Sequence, residues 1–241
     1  MKIVSRTDTG LVRENNQDSY TAFEHDGAVV AVVCDGMGGA AEGALASNRA
    51  VRAVKEYIVE RLYNGMSDIS IKSLLISAIE NANREVYSLS QTDEKYSGMG
   101  TTAVVSIVLN ENVYTAHAGD SRAYIKYDGK LTQITRDHSV IQQMIEKGEI
   151  SAEEADNHPD KHIITRALGV DNEIRVDFCQ EDFFEDSMLI LCTDGLTNYV
   201  KPDDIINLTD DGCYFEYADR LVNLANSNGG GDNTTVVVVG Y

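Results

Sequence analysis

Four valine- or isoleucine-rich runs in this chain each meet an aspartate at one end: "VVAVVC" before Asp35, "VYTAHAG" before Asp120, "SMLILCT" before Asp194, and "NTTVVVV" after Asp232. Asp18, just ahead of "SYTAF", is a fifth. A carboxylate at the end of a buried strand is costly unless something pairs with it. The repetition restricts the chain to folds that gather strand ends at one edge, and it makes these aspartates the first candidates for chemistry.

The connections between the runs narrow the fold further. "SYTAFEHDGAVVAVVC" reads as two strands around a turn at Asp26-Gly27, which sets Asp18 opposite Asp35 at the open end of an antiparallel hairpin. "TTAVVSIVL" and "VYTAHAGD" form a second pair joined by "NEN", and a third pair turns at Asp128-Gly129. Between the first two lie two amphipathic stretches. Leu45, Val51, Val54, Ile58 and Leu62 stand at helical spacing, as do Leu74, Leu75, Ala78, Ile79, Ala82, Val86 and Leu89. The first of these helices is predicted to end near Asn64-Gly65.

Residues 137–168 differ in character. They read as a short helix at about 139–147, a capping box of Ser151 with Glu154, and the polar run "DNHPDKH", together a candidate surface insertion. A buried strand "SMLILC", a helix at about 214–227 and a last strand from Thr234 complete the order. Strands joined by hairpins and interleaved with helix pairs predict an α+β sandwich in one domain spanning 1–241.

Acidic residues outnumber basic ones to give a formal net charge of −19 across 241 residues. Such a chain lacks the cationic footprint that phosphate-backbone binding needs, so nucleic acid is excluded as a main partner. No apolar run approaches a membrane span, and "MKIVSRTDTG" holds no apolar signal-type stretch, so a cytoplasmic protein without membrane insertion is expected. Cys34, Cys179, Cys192 and Cys213 show no CxxC spacing and read as free thiols.

Carboxylates gathered at one edge raise one another's pKa unless cations neutralise them. With oxygen ligands and no His or Cys cluster at ligand spacing, the pattern points to hard cations such as magnesium, manganese or calcium rather than zinc. Other chemistries fail on spacing. Six residues beyond the cysteines stand Ala40, Glu185, Asn198 and Asp219, so no cysteine-phosphatase arginine is in place. "GMGGAAEG" is not a dinucleotide-binding GxGxxG, and GxSxG is absent.

The motifs "GLVRENNQDS", "VVCDGMGG", "GMGTTAV", "AHAGDSRAY", "LTQITRDHSV", "ITRALG", "LCTDGLTNYV" and "GGGDNTTVVVV" occur in this order over about residues 4–239. In this the chain resembles the metal-dependent type 2C protein phosphatases (the PPM family), as a bacterial, catalytic-domain-only member. The resemblance implies a four-layer α-β-β-α sandwich of two antiparallel sheets flanked by helix pairs, with the metal centre at one end. It implies hydrolysis of phosphoserine and phosphothreonine in proteins by a metal-bridging hydroxide, with two to three divalent cations, Mn²⁺ or Mg²⁺, as cofactors.

By the same resemblance Asp35 bridges two cations, the Gly36 carbonyl ligates one, and Asp194 and Asp232 complete the other. Asp18 holds metal-bound water, and Asp120 with Asp194 takes a third, weaker cation. Arg13 grips the substrate phosphate, Asn233 supports Asp232, and Gln17 makes a water-mediated contact where other members carry glutamate. The implied partners are phosphoproteins, among them a membrane serine/threonine kinase and its substrates, met by a monomeric enzyme.

Two departures stand out. Met37 and Ala40 occupy positions where members of the family carry histidine, leaving the proton donor to the leaving group unassigned. The segment 137–168 resembles the family's flap, which sets His138, His158 and His162 as candidates for substrate contact, while His25 and His117 read as structural. The competing reading is a phosphatase-like module that binds phosphoproteins without turnover.

Overall fold

The computed structural model describes residues 1–39, 41–155 and 158–241. Strand β1 (Lys2–Asp8) precedes the hairpin of β2 (Asp18–His25) and β3 (Ala28–Met37). Helices α1 (Glu42–Arg61) and α2 (Asp68–Ser90) follow, then β4 (Gly100–Thr101), β5 (Ala103–Leu109), β6 (Asn112–Ala118), β7 (Arg122–Tyr127) and β8 (Lys130–Gln133). Short helices α3 (Val140–Glu146) and α4 (Ala152–Ala155) lead to β9 (Asp177–Asp182) and β10 (Met188–Cys192). Helices α5 (Asp194–Thr197), α6 (Pro202–Leu208) and α7 (Tyr217–Ser227) come before the closing strand β11 (Thr234–Gly240).

The strands form two sheets, in orders β1-β11-β10-β7-β8 and β2-β3-β5-β6-β9, with β4 attached to β3. Every pairing is antiparallel. Three hairpins turn through two residues of positive φ, Asp26-Gly27, Asn110-Glu111 and Asp128-Gly129. That backbone matches the twist of the strands it joins. Asn112, read as part of the second turn, is the first residue of β6.

Strand periodicity sorts the core into three layers. On β3, Val30, Val32 and Cys34 pack against α1 and α2, whereas Val29, Ala31 and Val33 face the other sheet. On β11, Val236 and Val238 pack among residues of α5, α6 and α7, and Val237 and Val239 face inward. These strands read as continuous apolar runs because both of their faces are covered. Helices outside, sheets inside, this is the four-layer sandwich that the resemblance implied.

Helix α1 ends at Leu62, whose N–H still bonds the Ile58 carbonyl, two residues ahead of the Asn64-Gly65 signal. The Ser151–Glu154 capping box forms as read, with reciprocal bonds of 2.8 and 3.2 Å. The stretch 137–168 is not a surface insertion throughout. His138, Ser139 and Ile141 at its start and Leu168 at its end are buried. Backbone bridges tie Ser139 to Ile164 and Thr101 to Leu168. Among the described residues, no helix is long and apolar enough to cross a membrane.

Candidate metal and phosphate site

The register of the first hairpin places Asp18 directly opposite Asp35. Asp35 lines a cleft of about 400 Å³ with Asp120, Asp194 and Asp232, and Arg13, Gln17, Gly36 and Asn233 share its walls. Strand ends from both sheets thus converge at one end of the sandwich, and Asp18 is buried beneath.

Each aspartate is held by its backbone or by short polar contacts. The Asp35 N–H donates to Thr102 Oγ1 (2.9 Å), and its carbonyl accepts from the Thr101 hydroxyl and the Thr102 N–H, both at 2.8 Å. Asp194 Oδ2 accepts from Asn198 Nδ2 at 2.9 Å, one helical turn on. Asp18 Oδ2 accepts from the hydroxyls of Thr193 (2.9 Å) and Thr235 (2.7 Å), while Oδ1 is buried with no hydrogen-bond partner. An orphaned carboxylate oxygen in the interior is costly and fits a site built to hold a cation or its water.

Electrostatics carry the same message. Burial, then its carboxylate neighbours Asp194 and Asp232, push Asp18 up to about 7. Burial and Asp194 do the same to Asp120, also to about 7. Burial and then Asp18, Asp194, Asp120 and Asp232 raise Asp35 well above the carboxylate range. Asp194 is raised by burial and by Asp232, against the lowering effects of Asp35 and of the Asn198 hydrogen bond. Like charges this close call for a positive counterpart. Among the described residues, no three acidic, His or Cys side chains already surround a single point as a finished metal cage. The fit to cations rests on the all-oxygen donor set, the mutual repulsion and the orphaned Asp18 oxygen.

Arg13 Nη2 donates to Asp232 Oδ2 at 2.9 Å, and that bond raises the guanidinium pKa. Asn233 acts as a staple. Its Nδ2 donates to the carbonyls of Thr9 and Asn15, its Oδ1 accepts from the Gln17 N–H, and its own N–H donates to Asp232 Oδ1. Gln17 Nε2 is engaged with the Gly39 carbonyl at 2.8 Å. Met37 lines the cleft, and Ala40 lies outside the described residues.

Glycine at position 36 is required by packing. A Cβ there would overlap the Gly43 carbonyl in the first turn of α1 and stand 2.6 Å from the Gln17 carbonyl oxygen. Gly36→Ala is expected to cost about 1–3 kcal/mol or more, as overpacking does, seen as a lowered midpoint of denaturant unfolding. An unchanged midpoint would contradict this close approach.

Of the flap histidines, His162 lines the cleft, but His138 is buried and turned away from solvent. Its Nδ1 accepts from the Gly119 N–H at 3.1 Å and its Nε2 lies 3.2 Å from Asp177, so the ring orders the turn that carries Asp120. Burial and the stacked His117 hold it down to about 4. Sequence reading passed over Thr102, Thr193, Thr235 and Asn198, and Tyr199, which lines the cleft. Only Asn198 had a local signal, its i+4 spacing from Asp194.

Fold and cleft together define a two-sheet sandwich with a carboxylate centre at one end, and comparison with known proteins gives this class its name. The sequence profile described as "Protein phosphatase 2C" matches residues 12–232, and the chain belongs to that family. It is 39% identical over 236 residues to the serine/threonine phosphatase stp of Listeria monocytogenes serotype 4b (strain F2365), covering 97% of this chain and 93% of that one. The structure of the S. agalactiae serine/threonine phosphatase superposes with a TM-score of 0.92 at 34% identity, over 100% of this chain and 99% of that one. The catalytic domain of the phosphatase PstP, solved with two manganese ions, superposes with a TM-score of 0.87 at 32% identity, over 98% and 96% of the two chains.

Proposed function

We propose that this metal-dependent protein serine/threonine phosphatase binds two to three divalent cations, Mn²⁺ or Mg²⁺, on Asp35, the Gly36 carbonyl, Asp194, Asp232 and Asp120, with Asp18 behind them. The observation that carries the reading is the buried, unpartnered Oδ1 of Asp18 beneath carboxylates that raise one another's pKa. When bound, the cations supply charge neutralisation and a water acidic enough to attack phosphorus as a bridging hydroxide near neutral pH. The solved manganese complex of the PstP relative supports that metal class.

The remaining roles belong to the chain's own side chains. Arg13 is half exposed at the cleft mouth and presents a planar fork suited to phosphate oxygens. Its bond to Asp232 keeps it at the position where a substrate phosphate competes for it. Asn198 and the Thr193–Thr235 hydroxyl pair fix the rotamers of Asp194 and Asp18, so the carboxylates are oriented before substrate arrives. Gln17 and Asn233 hold the 9–17 loop that carries Arg13 against the cleft. Met37 lines the cleft but brings no titratable group to the leaving oxygen.

The chain acts as one catalytic domain with residues 137–168 as a flap beside the cleft. It works as a cytoplasmic monomer and reverses a membrane serine/threonine kinase by dephosphorylating that kinase and its substrates. The test is direct: purified protein with Mn²⁺ releases phosphate from p-nitrophenyl phosphate and from phosphothreonine peptides, and EDTA stops both. Turnover undiminished by EDTA would overturn the metal assignment.

A further inference from the structure

Beside the cleft lies a second depression of about 360 Å³ that the chemistry leaves unused. Met37 and Ile164 line both, forming a shared ridge. Beyond the ridge the wall is apolar, from Ala167, Val170 and Ile174. Val170 is 48% exposed, a large apolar side chain left open at the surface.

The loop that builds this wall is fixed in place. Thr101 and Leu168 exchange backbone hydrogen bonds of 3.0 and 2.8 Å. The buried Asn83 of α2 accepts from the Gly169 N–H at 2.8 Å and donates to the carbonyls of Asp171 and Asn172 at 3.0 and 3.1 Å. Preformed apolar depressions of this kind hold side chains rather than ions. Arg166 is committed to Asp177 at 2.8 Å, and Asp171, Glu173 and Arg175 bring opposite charges to the rim, so the depression offers nothing to a second phosphate.

We propose that it receives an apolar side chain of the phosphoprotein substrate, two residues from the phosphorylated serine or threonine. The inference rests on the reading that the main cleft takes the phosphoryl group. In an extended chain, residues two apart point to the same face and stand about 6.5–7 Å from one another. A side chain at that position crosses the Met37–Ile164 ridge as the phosphoresidue enters the cleft. The wall then selects by apolar contact, with two acidic residues and one basic residue left at its rim.

The test compares phosphothreonine peptides carrying Leu, Ser or Asp at position −2 or +2, with the Mn²⁺-loaded enzyme and its Val170→Ser and Ile174→Asp variants. Leu at one of the two positions is expected to raise kcat/KM about tenfold over Ser, through KM. Both variants are expected to shrink this preference while p-nitrophenyl phosphate turnover stays at the wild-type level. Should Ile174→Asp lose that small-substrate turnover through misfolding, the exposed Val170→Ser decides. Equal kcat/KM for Leu and Ser at both positions, or a preference that persists in the variants, would overturn the subsite alone. Turnover of p-nitrophenyl phosphate with no phosphopeptide hydrolysed would remove the protein-phosphatase reading and the subsite with it.

Discussion

Asp194→Ala is expected to abolish phosphopeptide turnover while leaving the fold intact. The side chain stands at the start of α5 and lines the cleft beside Asp35, where it accepts from Asn198. On our reading it serves two cation positions, one with Asp232 and one with Asp120. Losing an outer partner of a metal ligand costs roughly 10–100-fold, and losing the ligand itself should exceed the upper end of that range. The fold should survive because the residue contributes charge rather than core. Its backbone N–H and carbonyl are unaffected, and Leu196, two residues on and fully buried, still anchors the turn. In metal-free buffer the variant should melt no lower than wild type, since one of several mutually repelling carboxylates is gone. The measurements are kcat with Mn²⁺, far-UV circular dichroism, and thermal melts in EDTA. Retained activity within tenfold of wild type would show the ligand assignment to be wrong.

The strand-end aspartates were legible because their signal is local. An apolar run that terminates in Asp violates the ordinary expectation for a buried strand, and the hairpin register of Asp18 and Asp35 follows from counting back from Asp26-Gly27. Valine-rich β3, β5 and β11 were legible for the same reason. Strands β1 and β9 were not read, and both lie at sheet edges. Their sequences, "KIVSRTD" and "DFCQED", carry the polar and charged side chains that edge strands present to water, so they lack a continuous apolar signature. The clamp on Asp18 was invisible for a different reason. Thr193 and Thr235 lie 175 and 217 residues away, and only the packing of β10 beside β11 brings their hydroxyls to one oxygen. His138 shows the reverse failure. It stands among polar flap residues in the sequence, yet its backbone and ring both bond Gly119, which draws it into the interior.

In the absence of metal, the protein is expected to lose stability as the pH rises from about 4 to about 7. Asp18 and Asp120 are both pushed up to about 7 in the fold, burial being the first cause for each. In the unfolded chain an aspartate titrates near 3.9. Between those values the folded state holds protons that the unfolded state has released. The stability tied to them is present in full below the unfolded value and is lost as the pH climbs through the folded one. A shift of this size corresponds to a few kcal/mol at most, which in a chain of this length lowers Tm by several degrees. His138 runs the opposite way, since a base held down to about 4 adds stability as the pH rises toward its unfolded value. Asp177, held down to about 2 by Arg166 and His138 against the effect of burial, titrates below this window. Both contributions cancel when wild type is compared with Asp18→Asn, which keeps an oxygen for Thr193 and Thr235 but carries no charge. Melted in EDTA from pH 4.5 to 8, wild type should fall away from the variant as the pH rises. Saturating Mn²⁺ should stabilise wild type most at the alkaline end, because the ligands must be deprotonated to bind. Parallel melting curves for the two proteins in EDTA would mean that Asp18 carries no charge penalty in the fold, and its orphaned oxygen would then lose its claim to a cation.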